Sequence, residues 1–191
     1  MVGKTDRCFS YSVDAGDCID AVNTDWLEFA RENEATELDE ATVVGARLFS
    51  FIRDEQTRHL YELLLRHVRE NKTTVTVPFR CDAPDLRRFM SLEIALAGNG
   101  HVSFTGRIVR EESRPPVDLL DRKVARADDV LVICGWCRQV DNSGVWCDVE
   151  VAVAELALFE RAQLPMISHG LCNGCSQDVL SKMDQKQALD S

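Results

Sequence analysis

Four cysteines near the C-terminal end form two C-x-x-C pairs, and this arrangement constrains the chain more than any other feature. Cys134 and Cys137 are the first pair, and Cys172 and Cys175 are the second. Thiols at this spacing can both bind one ion, and two such pairs supply the four ligands of a tetrahedral structural zinc site. The sequence therefore predicts that the four cysteines together bind one Zn²⁺.

The surroundings of the two pairs fit this interpretation. The first pair follows the apolar run 130–133 and precedes a turn at 141–144, which indicates a zinc knuckle on a hairpin. The second pair stands where a helix is expected to begin, because residues 176–180 have helical character. A helix N-terminus also favours the thiolate form of cysteine. Together these features resemble a treble-clef zinc finger.

The spacing leaves other chemistries of the four thiols open. A single C-x-x-C is also a thiol–disulfide motif, and four thiolates can bind an iron–sulfur cluster. Two pairs favour shared ligation over two separate redox centres. His169, three residues before Cys172, is an alternative ligand or a hydrogen-bond partner outside the ligand set. Because four thiolates leave no open coordination position, we expect the ion to be structural.

Composition narrows the class of protein. The chain has 191 residues, of which 45% are hydrophobic, enough for one core and a small additional unit. A formal net charge of −10 argues against nucleic-acid binding. We expect no membrane span, because no apolar run has the required length. The eight cysteines occur without an apolar export signal at the N-terminus, so we expect a cytoplasmic protein with reduced thiols.

The order of elements can be read from the periodicity of the apolar residues. Strands are predicted over 9–13 and 18–22, followed by helices over 24–34, 38–52 and 54–71. The period then changes, and three strands are predicted over 73–81, 87–97 and 101–112, with a hairpin at Asn99-Gly100. The prediction is a cluster of helices followed by an antiparallel three-strand meander.

This order resembles a PAS domain over about residues 8–112. The resemblance is carried by VNTDWLEFARENE, VVGARLFSFI, the helix around Tyr61 and the meander VPFRCDAPDLRRFMSLEI. The end of the chain resembles a tail that follows bacterial sensory PAS modules, with a WC-K/R-x-[IV] knuckle, a Trp on the return strand and an HGxCxxC ending. It departs from that tail at Asn173-Gly174, where a Pro and a polar residue are expected. The implied fold is α+β, a PAS-like antiparallel sheet with helices on one face plus a small treble-clef-like zinc unit.

Three regions follow from this interpretation. Residues 8–112 are predicted to be the PAS-like sensory domain and residues 130–185 the cysteine-rich zinc-binding unit. Between them, Pro115-Pro116 marks a boundary, and residues 113–129 are predicted to be a helical connector. The connector would place Val117, Leu120, Val124 and Ala127 on one face, either to pack within the chain or to form a homodimer. A further helix is predicted over 147–163, with Cys147 packing inside it.

Two histidines are candidates for contact with a PAS ligand. His59 and His67 lie eight residues apart on the long helix, nearly on one face. PAS domains that hold haem often use a helix histidine as axial ligand, so the resemblance implies this role. The alternative is a surface or boundary histidine, and the chain lacks a C-x-x-C-H haem-attachment motif. The sequence leaves the PAS ligand unknown.

The sequence carries none of the common catalytic signatures, such as G-x-x-x-x-G-K-[ST], G-x-S-x-G or H-E-x-x-H. The predicted function is therefore a non-catalytic, cytoplasmic sensory or signalling protein. Its PAS-like domain would bind a small molecule or a signalling partner. The resulting structural shift at the sheet would pass through residues 113–129 to the zinc unit. The alternatives are a thiol-based redox switch and a thiol–disulfide oxidoreductase that uses the C-x-x-C pairs.

Overall fold

A computed structural model of the protein describes residues 7–187. Within this range the helices are α1 (Thr24–Glu32), α2 (Glu40–Val43), α3 (Glu55–Asn71), α4 (Val149–Glu155) and α5 (Asn173–Gln187). The strands are β1 (Cys8–Val13), β2 (Ile19–Val22), β3 (Val75–Arg80), β4 (Leu86–Gly98), β5 (His101–Ser113), β6 (Arg126–Cys134), β7 (Val140–Asn142), β8 (Val145–Cys147) and β9 (Leu164–Gly170). They form two sheets.

The first sheet has the strand order β2-β1-β5-β4-β3, and every neighbouring pair is antiparallel. Alternate residues of its strands are buried, as expected for a sheet that is covered on one face. Helix α3 packs on this face through Leu60, Leu64 and Val68. The predicted α+β arrangement, an antiparallel sheet with helices on one face, is confirmed.

Local sequence signals explain where several elements begin and turn. Asn23 caps α1 by accepting a hydrogen bond from the backbone N–H of Trp26, and Asp54 caps α3 in the same way through Thr57. The β4–β5 hairpin turns at Asn99-Gly100, whose φ angles are 50° and 80°. Positive φ at both central residues is what a tight primed turn requires, so the predicted hairpin is present.

The predicted helix over 38–52 is broken into α2 and a 3-10 turn at Leu48–Ser50. Gly45 interrupts it with a φ of 88°, outside the helical region. The backbone N–H of Gly45 donates to the carbonyl of Ile19 at 2.7 Å, so this segment bonds to β2 instead of continuing a helix.

The segment 113–129 is not the helical connector that the sequence predicts. It contains one 3-10 turn at Asp118–Leu120, and β6 begins inside it. The backbone N–H of Val117 donates to the carbonyl of Pro84 at 3.0 Å, and the side chains of Val117 and Leu119 are buried in the core of the second sheet. Of the predicted helical face only Val117 is buried, and it is buried from an extended residue that precedes the 3-10 turn.

The second sheet has the order β8-β7-β6-β9. β6, β7 and β8 are antiparallel, whereas β9 runs parallel to β6 after the crossover through α4. A parallel pair needs such a crossover, and this one was missing from the sequence prediction. Cys147 ends β8 and precedes α4, so it does not lie in a helix as predicted.

Part of the cysteine-rich unit shares a core with the PAS-like unit. The main buried cluster contains residues of the first sheet and of α3. It also contains six residues from the C-terminal unit: Cys134, Trp136, Leu171, Cys172, Val179 and Met183. The candidate metal centre is therefore built against the helix-covered face of the first sheet. Within residues 7–187, no helix is long and apolar enough to cross a membrane.

Candidate metal centre and adjoining cavity

The four predicted cysteines come together at one point. The sulfur atoms of Cys134, Cys137, Cys172 and Cys175 all lie within 4.8 Å of one another, and the sulfurs of Cys137 and Cys172 are 3.7 Å apart. Sulfurs bound at about 2.3 Å to one tetrahedral zinc ion are separated by about 3.8 Å. The donor set and its spacing thus fit a tetrahedral ion, and the four residues could hold a metal.

Two backbone arrangements position the sulfurs. Cys134 is the last residue of β6, and its backbone N–H donates to the carbonyl of Gln139 at 2.7 Å across the tight turn that carries Cys137. On the other side, Cys172 immediately precedes α5 and Cys175 lies in the first turn of that helix. The predicted knuckle at the first pair and the helix start at the second pair are both present.

Backbone N–H groups point at two of the sulfurs. The amide of Cys172 donates to the sulfur of Cys134 at 3.4 Å, and the amide of Cys175 donates to the sulfur of Cys172 at 3.3 Å. Hydrogen bonds to a thiolate stabilise its negative charge. The second pair therefore supplies both ligands and donors that support ligand charge.

The four thiols perturb one another strongly. Hydrogen bonds from the thiols of Cys137 and Cys175 hold the pKa of Cys134 far below its usual range. The hydrogen bond between Cys137 and Cys134 raises the pKa of Cys137 to about 12. Hydrogen bonds with Cys134 and Cys137 raise the pKa of Cys175 well above its usual range. Four thiols this close cannot all ionise without a cation, because like charges oppose each other's ionisation. A divalent cation would remove that restriction.

His169 lies beside the cluster and outside it. Its side chain, on β9, has its Nε2 3.4 Å from a guanidinium nitrogen of Arg138. Desolvation, and then the charge of Arg138, lowers the pKa of His169. The ring is not part of the described four-sulfur group.

A cavity of about 620 Å³ adjoins the metal centre. One wall is the covered face of the first sheet, including Phe9, Phe79 and Met90. The opposite wall belongs to the C-terminal unit and includes Trp136, the residue before Cys137. The residues of the knuckle therefore form part of the cavity wall.

A second cavity of about 190 Å³ lies beside the first. Its lining is apolar and aromatic, with Ile19, Val43 and Leu48 among its residues. The two cavities share five lining residues, which are Tyr11, Trp26, Phe51, Ile52 and Tyr61. These residues border both cavities.

The two tyrosines that line both cavities belong to one aromatic cluster. Tyr11 stacks on Phe104 with ring centroids 4.6 Å apart, and the ring of Tyr61 lies 6.0 Å from both Phe104 and Trp136. Burial raises the pKa of Tyr61 to about 12, and burial together with Tyr61 raises the pKa of Tyr11 well above its usual value.

The two histidine candidates lie elsewhere. The side chain of His59 is 70% exposed on the surface of α3. His67 is buried, with its Nδ1 3.2 Å from the amide nitrogen of Asn71, and its Nε2 has no hydrogen-bond partner among the described residues. Neither histidine belongs to the described residues that line the two cavities.

No family model and no curated protein matches the chain. Solved structures similar to it include the PAS domain of the RpfR quorum-sensing receptor from Cronobacter turicensis in complexes with BDSF and with C12:0. Both show 14% identity and cover 54% of this chain and 94% of that chain, with TM-scores of 0.41 and 0.40. A sensory box sensor histidine kinase from Vibrio cholerae shows 10% identity over 56% of this chain and 85% of that chain, with a TM-score of 0.41. A domain of an HTR-like protein from Haloarcula marismortui shows 16% identity over 54% and 98%, with a TM-score of 0.37.

The first unit has a PAS-like fold. Two strands, short helices, the long α3 and the β3–β4–β5 meander follow one another in the expected order, and the sheet is antiparallel throughout. Sequence reasoning did not assign Tyr11, Tyr61 or Trp136 to a cavity. A signal exists for Tyr11, which stands two residues from Phe9 and two from Val13 along β1. Because side chains two apart in a strand share a face, Tyr11 must face the same way as these two buried residues.

Proposed function

We propose that the chain is a non-catalytic sensory module in which a structural zinc ion at Cys134, Cys137, Cys172 and Cys175 shapes a ligand cavity. The cavity takes a small molecule, and the C-terminal unit passes its state to a signalling protein. The zinc unit has the order of a treble clef, with a knuckle, a hairpin and a helix that begins at the second pair, interrupted by α4 and β9.

The observation that carries the proposal is the position of Trp136. It lies between two of the ligands in sequence, is only 4% exposed, and forms part of the cavity wall. Its ring is 6.0 Å from that of Tyr61 on α3. A ligand that changes the packing at this wall acts directly on the loop that holds the ion, so residues 113–129 are not needed as the route.

A structural role for the ion follows from the ligand set. Four thiolates complete the coordination of zinc, so no position remains for a substrate or water. Cys134 and Cys172 are buried within the main core, so the ion would join the β6–β7 turn to the start of α5 from inside the fold. All eight cysteines are free thiols, which a reducing cytoplasm maintains.

The test is elemental analysis of the protein purified without added metal, combined with a Cys172→Ser variant. We expect about one zinc per chain in the original protein and loss of the metal with a lower Tm in the variant. Cys147→Ser is the matched control, because this half-buried cysteine of the same unit lies outside the four-sulfur group. Retention of zinc by Cys172→Ser, or its loss from Cys147→Ser, would contradict the assignment.

A redox switch is the second candidate, favoured by the 3.7 Å between the sulfurs of Cys137 and Cys172. These sulfurs belong to different pairs, so oxidation after loss of the metal would link the knuckle to α5. A thiol–disulfide oxidoreductase would instead form its disulfide within one C-x-x-C pair. Mass spectrometry of the oxidised, metal-free chain separates the two, because it identifies which cysteines become linked.

A further inference from the structure

We propose that a cleft between the PAS-like unit and the C-terminal part of the chain binds a small phosphate monoester, whose phosphate group engages Arg122, Arg138 and His169. This interunit cleft is separate from the cavity assigned to the sensory ligand. The proposal goes beyond the sensory function and does not rest on it.

The interunit cleft has a volume of about 650 Å³. The PAS-like unit contributes the end of α1 and the turn between β3 and β4, residues 81–85, to its wall. Residues 120–123 and part of β9 lie on the other side. The cleft shares only Ile167 and His169 with the cavity of about 620 Å³. Ligand pockets usually have volumes of about 300–1,000 Å³, so the cleft can hold a small organic molecule.

Arg138 is the main cation of the proposed site. Its Nε donates to the carbonyl of Arg80 at 3.2 Å, and its Nη1 lies 3.4 Å from the Nε2 of His169. Among the described residues, no carboxylate forms an ion pair with Arg138, and no hydrogen bond uses its Nη2. A guanidinium presents a planar fork of N–H donors that matches phosphate oxygens. Arg138 is therefore held in place by neutral groups and keeps its charge and a donor for an anion.

His169 adds a second donor beside Arg138. Because a guanidinium has no acceptor, the Nε2 of His169 accepts in this contact, and the neutral ring then carries its proton on Nδ1. No hydrogen bond within the described part of the chain uses this Nδ1. The ring N–H can therefore donate to a ligand in the cleft that His169 lines.

Arg122 brings a second positive charge to this end of the cleft. Burial is the first cause that lowers the pKa of His169, and the charges of Arg138 and Arg122 follow, while the sulfur of Cys134 opposes them. The side chain of Arg122 is 59% exposed and lies 3.7 Å from that of Glu37, which is 66% exposed, so this ion pair is weak. Two arginines and a ring N–H match a phosphate group, which has nearly two charges and three acceptor oxygens. A carboxylate has only one charge to offer them.

Most carboxylates of the cleft are already engaged. Four of the five accept hydrogen bonds or form ion pairs within the protein, namely Glu32, Glu34, Asp82 and Asp121. The arginines that pair with Glu32 and Asp82 do not line the cleft. Asp85 is the exception, since no hydrogen bond or ion pair of the described residues uses its exposed side chain. Asp85 is therefore the group that opposes a bound anion.

Two probes test the ligand class by isothermal titration calorimetry of the full, zinc-loaded chain. Phenyl phosphate carries the phosphate group on an apolar ring, and benzoate carries a carboxylate on the same ring. We expect benzoate to bind about tenfold more weakly than phenyl phosphate, because it offers one charge in place of nearly two and one acceptor oxygen fewer.

Variants assign the binding to the cleft. Arg138→Gln should weaken phenyl phosphate binding about tenfold, as the loss of charge-assisted hydrogen bonds does. Arg122→Gln should weaken it about threefold, because its exposed charge is partly screened. Arg161→Gln is the matched control, since it removes an exposed arginine that pairs with Asp129 and does not line the cleft.

Asp85→Asn tests the sign of the charge effect. Removal of the opposing carboxylate should tighten phenyl phosphate binding about twofold, a gain that a damaged fold would not produce. Zinc content and Tm are measured for every variant, because Arg138 follows the ligand Cys137 in sequence. Arg122 and Asp85 are exposed, so their variants test the site even if Arg138→Gln does not fold.

The outcomes separate this site from the sensory function. Unchanged phenyl phosphate affinity in folded Arg122→Gln and Arg138→Gln, or weaker binding by Asp85→Asn, overturns the site. Benzoate binding as tight as that of phenyl phosphate overturns the phosphate class. If phenyl phosphate does not bind the zinc-loaded chain, the whole proposal is overturned, and the zinc ligands and the sensory cavity are unaffected.

Discussion

The backbone N–H of Arg80 donates to the carbonyl of Trp136 at 2.6 Å. Arg80 is the last residue of β3, an edge strand of the first sheet, and Trp136 lies in the knuckle between Cys134 and Cys137. The Nε of Arg138 returns a hydrogen bond to the carbonyl of Arg80 at 3.2 Å. The knuckle therefore satisfies backbone groups at the edge of the PAS-like sheet, which an edge strand otherwise leaves open.

Trp136 contacts Arg80 through its backbone carbonyl and lines the cavity with its side chain. We therefore expect the ring to support the cavity without being needed for the metal. Trp136→Ala removes a buried ring but leaves both neighbouring cysteines and the backbone carbonyl in place. We expect a decrease of about 3–5 kcal/mol in the free energy of unfolding, measured by urea denaturation, with zinc content unchanged. Phe159→Ala is the control, because that ring is 71% exposed in the same unit and its loss should change stability little. Loss of zinc from Trp136→Ala would contradict this division of roles.

The meeting of Cys134, Cys137, Cys172 and Cys175 could be predicted from the sequence because the information for it is local. The spacing of each pair, the turn at Ser143-Gly144 and the start of α5 can all be recognised within a few residues. The Asn99-Gly100 turn is local in the same sense. In each of these features, the residues next to one another in the sequence determine the local structure.

The relationship between the two units could not be predicted in this way. β9 pairs in parallel with β6 across more than thirty residues, a contact that no local period encodes. The connector was predicted to be helical because its apolar residues recur at helical intervals, yet Val117 is buried from an extended residue and Leu119 from a 3-10 turn. The cavity depends on how the knuckle packs against α3, so neither its position nor its tyrosines followed from spacing.

Alkaline pH should reveal the buried tyrosines directly. The chain has only two tyrosines, and burial is the first cause that raises the pKa of each, for Tyr61 to about 12. The unfolded chain should ionise near pH 10. Because the unfolded state then loses its protons first, the free energy of unfolding is unaffected below pH 10 and falls as the pH rises toward 12.

The measurement is a titration of tyrosinate absorbance at pH values that keep the chain folded, compared with the same titration in denaturant. We expect absorbance to appear near pH 10 only in denaturant. In the folded Tyr11→Phe variant the whole signal should come from Tyr61 and stay suppressed above pH 10. A folded-state midpoint near 10 would show that the hydroxyls are open to water.

A buried arginine holds the junction between the units. The side chain of Arg114 is 4% exposed and donates to the carbonyls of Ala83 and Pro84 at 2.8 and 3.1 Å. It also lies 3.3 Å from the carboxylate of Asp82, whose side chain is 0% exposed, and 3.2 Å from Glu150 on α4. Removal of this charge would leave buried acceptors and a carboxylate with fewer partners.

We therefore expect Arg114→Ala to lower the free energy of unfolding by about 3–5 kcal/mol, the usual result of breaking a buried ion pair from one side. Arg161→Ala is the matched control. It removes an exposed guanidinium that bonds both carboxylate oxygens of Asp129 at 2.8 and 3.0 Å, and water replaces such a partner readily. Chemical denaturation of both variants decides the point, and equal effects would mean that Arg114 contributes no more than a surface pair.

The two glycines of the HGLCNGC segment should differ sharply in their tolerance of a methyl group. At Gly170, the last residue of β9, an added Cβ would stand 2.9 Å from the Cγ1 of Val132, closer than side chains pack. At Gly174, in the first turn of α5, it would meet nothing within 4 Å. Gly170 is paired with Cys134, so a shift there moves a metal ligand.

Gly170→Ala should therefore lower the free energy of unfolding by roughly 1–3 kcal/mol, as overpacking does, and speed the release of zinc to a chelator. Gly174→Ala should leave zinc release unchanged and stabilise the chain by about 0.5–1 kcal/mol, since alanine is the better helix former. Thermal unfolding and a colorimetric zinc-release assay on the two variants test this pair. If both alanines are tolerated equally, β9 does not approach Val132 as closely as this packing requires, and the glycine of the HGxC motif has no steric role.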